Sequence, residues 1–401
     1  MTRPEQSKTL VEMMQSLLGE EEEDLLAEIV RLGLQAIMEA ERDLHVGVDR
    51  YERSEERQTS RNGYKPRQWT TRVGTLDLMV PQTRDGKFSP QILERYQRSE
   101  GALVAALAEA YVAGVSTRKM KQVTEKLLGK TFSSSTISRY VARLDEELEP
   151  WRTRRLEKPI PYVIVDARYE KCRRDGQIVD LAVLVATGVD TDGYRQVVGI
   201  DVAWGETTLN WKGFFEGLIE RGLHGVQLVA ADAHEGLKDA RRQCFPGVPW
   251  QRCQVHFMRN LLEKVPKKHR NEMYTAMRGI WDLSRTRSDA EDRLNTMISE
   301  WEKKLPEFTD WLDDNARETL AVLDFPNSHW VRLRTTNGLE RIMQELKRRS
   351  RVVRIFPTPQ SCRRLATALL KEYHEDWVTG RRYLLMEALE QPETETVELV
   401  N

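Results

Sequence analysis

Two runs of β-forming residues, each leading to an aspartate, constrain the fold of this chain more than any other feature. The run VIVD at 163–166 reaches Asp166, and the run AAD at 230–232 reaches Asp232. A carboxylate at the last residue of a buried strand has little side-chain freedom and lies at the sheet edge where ligands bind. Two adjacent carboxylates raise one another's pKa unless a cation neutralises them, which predicts a site for Mg²⁺ or Mn²⁺.

The residues around these runs predict a mixed α/β domain. PYVIVD, IVDLAVLVATGV and YRQVVGIDVAW predict three strands of an antiparallel meander, followed by helix, strand, helix and strand up to His256. This order is typical of a ribonuclease-H-like fold, in which the strand of Asp166 lies parallel to that of Asp232, about 4.8 Å away. The two carboxylates are then expected to converge at one edge of the sheet.

The segment between His256 and Glu340 is helical in pattern and far longer than an ordinary connection of about 2–6 residues. It therefore predicts a helical insertion. Large aromatic residues at wide spacing anchor the core of such a subdomain. Those in this segment are Trp281, Trp301, Trp311 and Trp330.

A third acid is predicted in RTTNGLERIMQELKRRSRVVRIFPT, at Glu340. This helix has an apolar stripe that would dock on the sheet and an adjoining face on which the acid precedes basic residues. The stripe is Leu339, Ile342 and Leu346, and the adjoining face is Glu340, Gln344, Lys347 and Arg351. Asn337 and Glu340 also have the spacing of a helix cap with its returning glutamate, and both interpretations can hold together.

Net charge is −1, but charges of opposite sign are segregated along the chain. Residues 1–50 contain 12 acidic and 5 basic residues, whereas 57–75 contain 5 basic and no acidic residues. Residues 116–143 contain 7 basic residues against 1 acidic, and 334–354 contain 7 against 2. Because basic patches, and not totals, determine phosphate affinity, the three basic segments predict contacts with nucleic acid.

The region before residue 152 is predicted to contain three modules. An amphipathic helix from Glu21 to about Leu44, with Leu25, Ile29, Leu32 and Ala36 on one face, packs on its own chain or forms a dimer contact. Residues 62–86 predict a small β element lying along a DNA backbone. Residues 114–151 resemble a helix-turn-helix, in which GKTF forms the turn and the serines at 133–135 cap the second helix.

Candidate DNA contacts are the exposed basic residues of these modules and of the Glu340 helix, together with polar residues at the start of the second helix. They are Arg61, Lys65, Arg67, Arg72, Arg118, Lys119, Ser135, Thr136, Arg139, Lys347, Arg348 and Arg351.

The four cysteines are scattered without a CxxC pair, which argues against disulfides and a zinc ribbon. No apolar run approaches the ~20 residues of a membrane span, and the N-terminus has no signal-peptide pattern. A cytoplasmic protein without a membrane partner is expected.

The strings DARYEKCR, ADAHEGLK, WQRCQVHFMRNLLEKVPKKHR and RTTNGLERIMQELKRRSRVVRIFP resemble the Mutator-type transposases of bacterial insertion sequences. These are members of the DDE superfamily, which has a retroviral-integrase-like catalytic domain. The resemblance extends to about Pro357. It implies that Asp166, Asp232 and Glu340 are the catalytic acids and hold Mg²⁺ or Mn²⁺. It also implies binding of inverted-repeat ends and target DNA, strand cleavage and strand transfer.

Cys253 and His256 match a Cys-x-x-His element of that family. A zinc site would need two further ligands, and none stands at useful spacing, so packing near the metals or a DNA contact is the favoured role. His234 is either an outer neighbour of the metal site or a helix-start residue. Because two DNA ends must be brought together, at least a dimer is expected on DNA.

The predicted architecture is an α/β ribonuclease-H-like catalytic domain with an α-helical insertion, preceded by helical and small β DNA-binding modules. Residues 1–56 form a helical oligomerisation region, 57–98 a small basic β element and 99–152 a helix-turn-helix-like domain. The catalytic core occupies 158–257 and 333–386, the insertion 258–332, and an acidic tail 387–401. Two alternatives remain open: a DNA-binding regulator derived from a transposase with an inactive site, and a ribonuclease-H-like nuclease that cleaves without joining.

Overall fold

The computed structural model describes residues 22–48, 54, 57–71, 73–93, 101–115, 117–128 and 133–390. The chain divides into two compact units, Met1–Arg143 and Leu144–Asn401. The boundary differs from the predicted domain end at residue 152, because the helix that follows Arg143 packs within the second unit against a helix near the C-terminus.

The first unit contains a long helix packed on a β-hairpin. Helix α1 spans Glu22–Val46, strand β1 Arg61–Thr71 and strand β2 Gly74–Thr83, and the two strands are antiparallel. A small element of two or three strands was predicted here, and two strands are found. The Gln35 amide bonds the backbone of Met79 in both directions, as donor at 2.9 Å and acceptor at 3.2 Å, which fixes α1 along β2.

The face that α1 packs on the hairpin differs from the predicted one. Met38 is fully buried, and Ala27, Val30 and Leu34 contact the hairpin core around Trp69. Ala36, which was predicted on the packed face, is exposed. The helix therefore packs on its own chain, as one of the two alternatives stated. The stripe is offset because residues 27, 30, 34 and 38 also follow the helical period.

Three helices complete the first unit: α2 Gly101–Val112, α3 Thr117–Leu128 and α4 Ser134–Ala142. Ser133 caps α4, its hydroxyl accepting a hydrogen bond from the Thr136 backbone N–H at 3.1 Å. The predicted single second helix is divided at Arg143, and α5 spans Leu144–Arg152 in the second unit. The predicted GKTF turn lies outside the described residues.

The second unit is built on a five-stranded mixed sheet. Its strands are β3 Tyr162–Arg174, β4 Gln177–Val189, β5 Arg195–Ala203, β6 Leu228–Ala231 and β7 Trp250–Arg252, in the order β5-β4-β3-β6-β7. Strands β3, β4 and β5 pair antiparallel, and β6 and β7 run parallel to β3. Asp175 and Gly176 both have positive φ, the conformation of the tight turn that closes the β3–β4 hairpin.

Helices cover the sheet. Helices α6, Thr208–Glu220, and α7, Glu235–Cys244, enclose a core with Val163, Val165 and Trp211. Helix α13, Asn337–Val353, packs on β3, and helix α14, Pro359–Thr379, packs on β5. A short helix, α15, spans Glu387–Glu390.

The predicted helical insertion is present between β7 and α13. It comprises α8 Gln254–Lys264, α9 Arg270–Leu283, α10 Arg287–Glu302, α11 Pro306–Ala316 and α12 Asn327–Leu333, with short 3₁₀ turns between them. Trp281 and Trp301 are buried in its core, and Trp311 and Trp330 pack against it, as predicted. None of the described helices is long and apolar enough to cross a membrane.

Candidate active site

Strand register places the two predicted aspartates side by side. Strands β3 and β6 are parallel and adjacent, with Ile164 opposite Ala230. Continuing this register by two residues brings Asp166 level with Asp232, which follows the last residue of β6. The Ala233 backbone N–H donates to Asp232 Oδ1 at 2.7 Å, and the Ala167 N–H donates to Asp166 Oδ1 at 2.8 Å. The backbone therefore holds both carboxylates in place.

Asp166 is not the last residue of its strand, contrary to the prediction. Strand β3 continues to Arg174, paired with β4 along its whole length. On the side away from β4, β3 pairs with β6 only as far as Ile164. Further along the same side, Phe356 makes two backbone hydrogen bonds with β3. The carboxylate thus lies where β3 loses its parallel neighbour, so the sheet is open beside Asp166 although the strand goes on.

Glu340 enters the site from the first turn of α13. Leu339, Ile342 and Leu346 are buried, as predicted, and Glu340 is partly exposed. The predicted helix cap is wrong: Asn337 is already inside the helix, and the preceding residue, Thr336, makes no side-chain cap. The Glu340 side chain is therefore free to face the strand ends.

The start of α13 is fixed to the start of α8. The backbone N–H and the hydroxyl of Thr336 both donate to Cys253 Sγ at 3.4 Å, and the Gln254 N–H donates to the Arg334 carbonyl at 3.0 Å. Cys253 directly follows β7, so its sulfur links the sheet to the helix that carries Glu340. This gives the Cys-x-x-His element a structural role that the sequence left open.

His256 lies between two of the predicted acids. Its Nε2 is 3.1 Å from Glu340 Oε1, and its Nδ1 is 3.9 Å from Asp232 Oδ2. The Cys253 sulfur, with the carboxylates of Asp232 and Glu340 adding, raises the pKa of His256 to about 9. The imidazolium is thus the positive charge around which residues from β6, α8 and α13 assemble.

Asp166 completes this group. The pKa of its carboxyl is raised to about 7, chiefly by burial; the charges of Glu340 and Asp232 add to the rise, and the Ala167 N–H and His256 oppose it. A buried acid with this pKa gains from a neighbouring cation, because a cation stabilises its ionised form.

The donor chemistry of the three carboxylates fits Mg²⁺ or Mn²⁺, which prefer oxygen ligands. As the side chains stand, no three His, Cys, Asp or Glu side chains within the described ranges form a ready metal-binding group. Glu340 is engaged with His256, so it would have to leave His256 to share a cation with Asp166 and Asp232.

Other predicted site residues have separate locations. His234 is exposed at the start of α7 and makes no cap, in keeping with a helix-start residue. A pocket of about 320 Å³ is lined by Val255, Tyr274, Arg278 and Asn337, among others, and by none of the predicted acids. No local sequence pattern predicted this pocket, because its walls come from α8, α9 and the residues around the start of α13.

The predicted DNA contacts are largely at the surface. Arg61 is engaged with Asp43 at 2.9 Å, Thr136 bonds the Ser133 cap, and Arg348 pairs with Glu345 at 2.7 Å. Arg72 lies outside the described residues, and for Arg118 only the backbone is described. Arg67 is partly buried, and the exposed residues are Lys65, Lys119, Ser135, Arg139, Lys347 and Arg351.

Fold and site together define a mixed α/β protein with an acidic site beside the ends of parallel strands. A family model described as "Transposase, Mutator family" matches residues 1–380. The transposase for insertion sequence element ISRM5 of Rhizobium meliloti (strain 1021) is 45% identical over 368 residues, 92% of each chain.

Two further relatives are also transposases of insertion sequence elements. The transposase for insertion sequence element IS406 of Burkholderia multivorans is 45% identical over 364 residues, covering 90% of this chain and 93% of the relative. The transposase for insertion sequence element IS256 in transposon Tn4001 of Staphylococcus aureus is 40% identical over 366 residues, with the same coverage. The chain belongs to the Mutator family of transposases.

Proposed function

We propose that this chain binds the terminal inverted repeats of an insertion sequence and catalyses metal-dependent DNA strand cleavage and strand transfer. Asp166, Asp232 and Glu340 are the proposed catalytic and metal-binding acids. The observation that carries the proposal is their assembly: two acids from parallel strands and one from a distant helix gather around His256.

The order and direction of the strands support a ribonuclease-H-like catalytic domain. Three antiparallel strands are followed by two parallel strands on the other side of β3, with helices between them. The long helical segment falls between the last strand and the Glu340 helix. In an α/β sheet of this kind, ligands bind outside the carboxyl ends of the parallel strands, where Asp232 and Asp166 lie.

When bound, Mg²⁺ would activate a water or a DNA 3′-hydroxyl and stabilise the leaving oxygen. The chain's own residues prepare this site. Backbone N–H groups orient the carboxylates of Asp166 and Asp232, and burial raises the pKa of Asp166. His256 Nε2 contacts the Glu340 carboxylate at 3.1 Å, next to these two side chains. No protein nucleophile is required.

DNA is proposed to approach along the exposed basic face of α13. Lys347 and Arg351 follow Glu340 on that face, and Tyr274 and Arg278 line the adjoining pocket. These side-chain types bind phosphates and stack on bases. The first unit, with its basic hairpin and the helices α3 and α4, is proposed to recognise the inverted repeats.

The test replaces each acid with its amide: Asp166→Asn, Asp232→Asn and Glu340→Gln. Duplexes carrying the terminal inverted repeats that flank the encoding gene are incubated with Mg²⁺, and nicked and joined products are resolved on a gel. Each variant is expected to lose both products while retaining DNA binding. Asp180→Asn, at an exposed acid of β4 paired with Lys171, is the control and should keep both activities.

The outcomes separate the proposal from its alternatives. Mg²⁺-dependent cleavage that persists in Asp166→Asn or Asp232→Asn would refute the assigned acids. DNA binding without nicking by the unmodified chain would favour a regulator with an inactive site. Nicking without joined products would favour a nuclease.

A further inference from the structure

Arg195, at the start of β5, is a buried cation without an acidic partner in the described structure. Its guanidinium carbon lies 3.7 Å from the centre of the Trp377 ring and 5.3 Å from that of Tyr383. Nε and Nη2 are buried and make no hydrogen bond within the described part of the chain. Because unsatisfied buried donors cost free energy, the Arg195 guanidinium is held in this position at a cost to the fold.

Two further arginines lie close to Arg195. The Arg332 guanidinium lies 4.9 Å from the centre of the same Tyr383 ring, and Arg341 directly follows Glu340. Burial lowers the pKa of Arg195, and the charges of Arg332 and Arg341 lower it further. Arg332 and Arg341 are exposed, and neither forms an ion pair within the described ranges. The arginine cluster, Arg195, Arg332 and Arg341, is therefore an uncompensated group of positive charges.

Gly338 brings the cluster against the helix that carries Glu340. A Cβ at this position would lie 2.7 Å from Nη2 of Arg195, so only glycine allows the guanidinium to approach this closely. Gly338 and Glu340 belong to the same first turn of α13. Residues two positions apart on a helix point to nearly opposite faces, so the cluster and the Glu340 carboxylate lie on different sides of this first turn.

We propose that the arginine cluster binds a backbone phosphate of the DNA, across the first turn of α13 from the phosphate presented to Asp166, Asp232 and Glu340. A guanidinium matches phosphate geometry with paired N–H donors. Arg332 and Arg341 are exposed and supply these donors, and the phosphate offsets the repulsion among the three arginines. This inference rests on the proposed function, since it places the DNA strand at the start of α13.

The test uses the full-length chain and the same inverted-repeat duplex without divalent metal, so that binding is measured apart from cleavage. Dissociation constants are determined by fluorescence anisotropy at several salt concentrations. Arg332→Ala and Arg341→Ala should each weaken binding by about tenfold and reduce the slope of log K against log salt by ~1. The double variant should reduce the slope no further, because both arginines bind one phosphate.

A variant that leaves the net charge unchanged and a matched control are measured beside the arginine variants. Gly338→Ala leaves the net charge unchanged but displaces the Arg195 guanidinium, and should weaken binding as well. Arg293→Ala removes an exposed arginine of α10 that pairs with Asp289, and should leave the affinity and the slope unchanged.

A methylphosphonate scan identifies the source of the phosphate. Replacing single phosphates of the duplex with neutral methylphosphonates should reveal a position that weakens binding by the unmodified chain but has no effect on Arg332→Ala. If inorganic phosphate stabilises the chain against heat but no such position exists, the cluster binds free anions and the inference is wrong.

The result also separates this inference from the proposed function. Unchanged affinity and slope in Arg332→Ala and Arg341→Ala, in a chain whose unmodified form binds and cleaves the duplex, would overturn the cluster alone. Failure of the unmodified chain to bind the duplex would overturn both.

Discussion

At the scale of single residues, Cys253 shows how much depends on one sulfur atom. It accepts two hydrogen bonds from Thr336 at 3.4 Å and is fully buried. A buried N–H that loses its acceptor keeps the full cost of its desolvation. The position of α13, and therefore of Glu340, relies on this contact between residues that are far apart in sequence.

Cys253→Ala is expected to lower the free energy of unfolding by about 1–3 kcal/mol and to reduce strand cleavage, because Thr336 loses its acceptor. Chemical denaturation and the nicking assay measure these effects. Cys253→Ser keeps an acceptor and should lose less, and Cys244→Ala controls for removal of a thiol. Unchanged stability and cleavage in Cys253→Ala would contradict the role of the sulfur.

His374 on α14 is a second residue whose surroundings affect stability, here through its pKa. Its Nδ1 accepts a hydrogen bond from the Val197 N–H at 3.3 Å. Burial, and then the charge of Arg154, lower the pKa of His374 to about 4. In the unfolded chain the pKa is about 6.5, so between these values the unfolded state binds the proton and the folded state does not.

The free energy of unfolding should therefore fall as the pH drops from about 6.5 towards 4, with the His374 contribution fully present above pH 6.5. Allowing for its partial exposure, we expect a loss of about 1 kcal/mol by pH 5. Urea unfolding of the unmodified chain and of His374→Gln at several pH values isolates the contribution of His374 to the free energy of unfolding. Parallel stability curves for the two proteins would show that His374 does not contribute it.

The sequence predicted that Asp166, Asp232 and Glu340 would lie near one another, as they do, because strand ends and helix faces are local patterns. It did not find Arg195, since a guanidinium stacked between Trp377 and Tyr383 depends on residues far apart in sequence. One signal was present: Gly338 lies in the first turn of a strongly patterned helix, and a glycine at such a position indicates close packing.

At the scale of elements, α14 begins with a complete capping box. Thr358 Oγ1 accepts from the Ser361 N–H at 3.2 Å, and Ser361 Oγ accepts from the Thr358 N–H at 3.3 Å. Pro359 occupies the first turn, where its missing N–H is not needed. This start fixes a helix that packs on β5 and carries Trp377 and His374.

Thr358→Ala is expected to cost about 1 kcal/mol of stability, because the cap is lost. In a unit of this size that corresponds to a melting temperature lower by about 2–4 °C. Thr379→Ala, at the exposed last turn of the same helix, is the control and should change little. Differential scanning calorimetry measures both, and equal melting temperatures would show that the helix start does not limit stability.

Helices and strands were predicted well where one local sequence pattern dominates. Their ends and packed faces were predicted less well where contacts with other elements determine them. The extent of β3 was underestimated because its continuation to Arg174 depends on pairing with β4 and Phe356. The break at Arg143 was missed because the apolar spacing continues across it. The packed face of α1 was offset, since the hairpin, and not the helix alone, selects Met38.

At the scale of the whole molecule, the basic hairpin and the helices α3 and α4 fall in the first unit, and the acids fall in the second. Composition and segment order predicted separate modules, and the structure divides the chain into two units. The location of the boundary was not predictable, because it depends on α5 packing against α14.

We expect the chain to form at least a dimer on DNA, because two ends must be brought together for joining. Light scattering on complexes with paired-end DNA should give a mass of two or more chains. The same measurement with one unrelated duplex of equal length is the control. A complex with one chain on two ends would contradict the expected assembly.

The position of the helical insertion also affects when the site can form. Asp166 and Asp232 are synthesised first, and Glu340 emerges only after the whole segment 254–333 has been translated. At ~5–20 residues per second, the delay is roughly 5 to 20 s. On the proposed function, a growing polypeptide therefore has two of its acids but not the third, and cleavage waits until Glu340 has been synthesised.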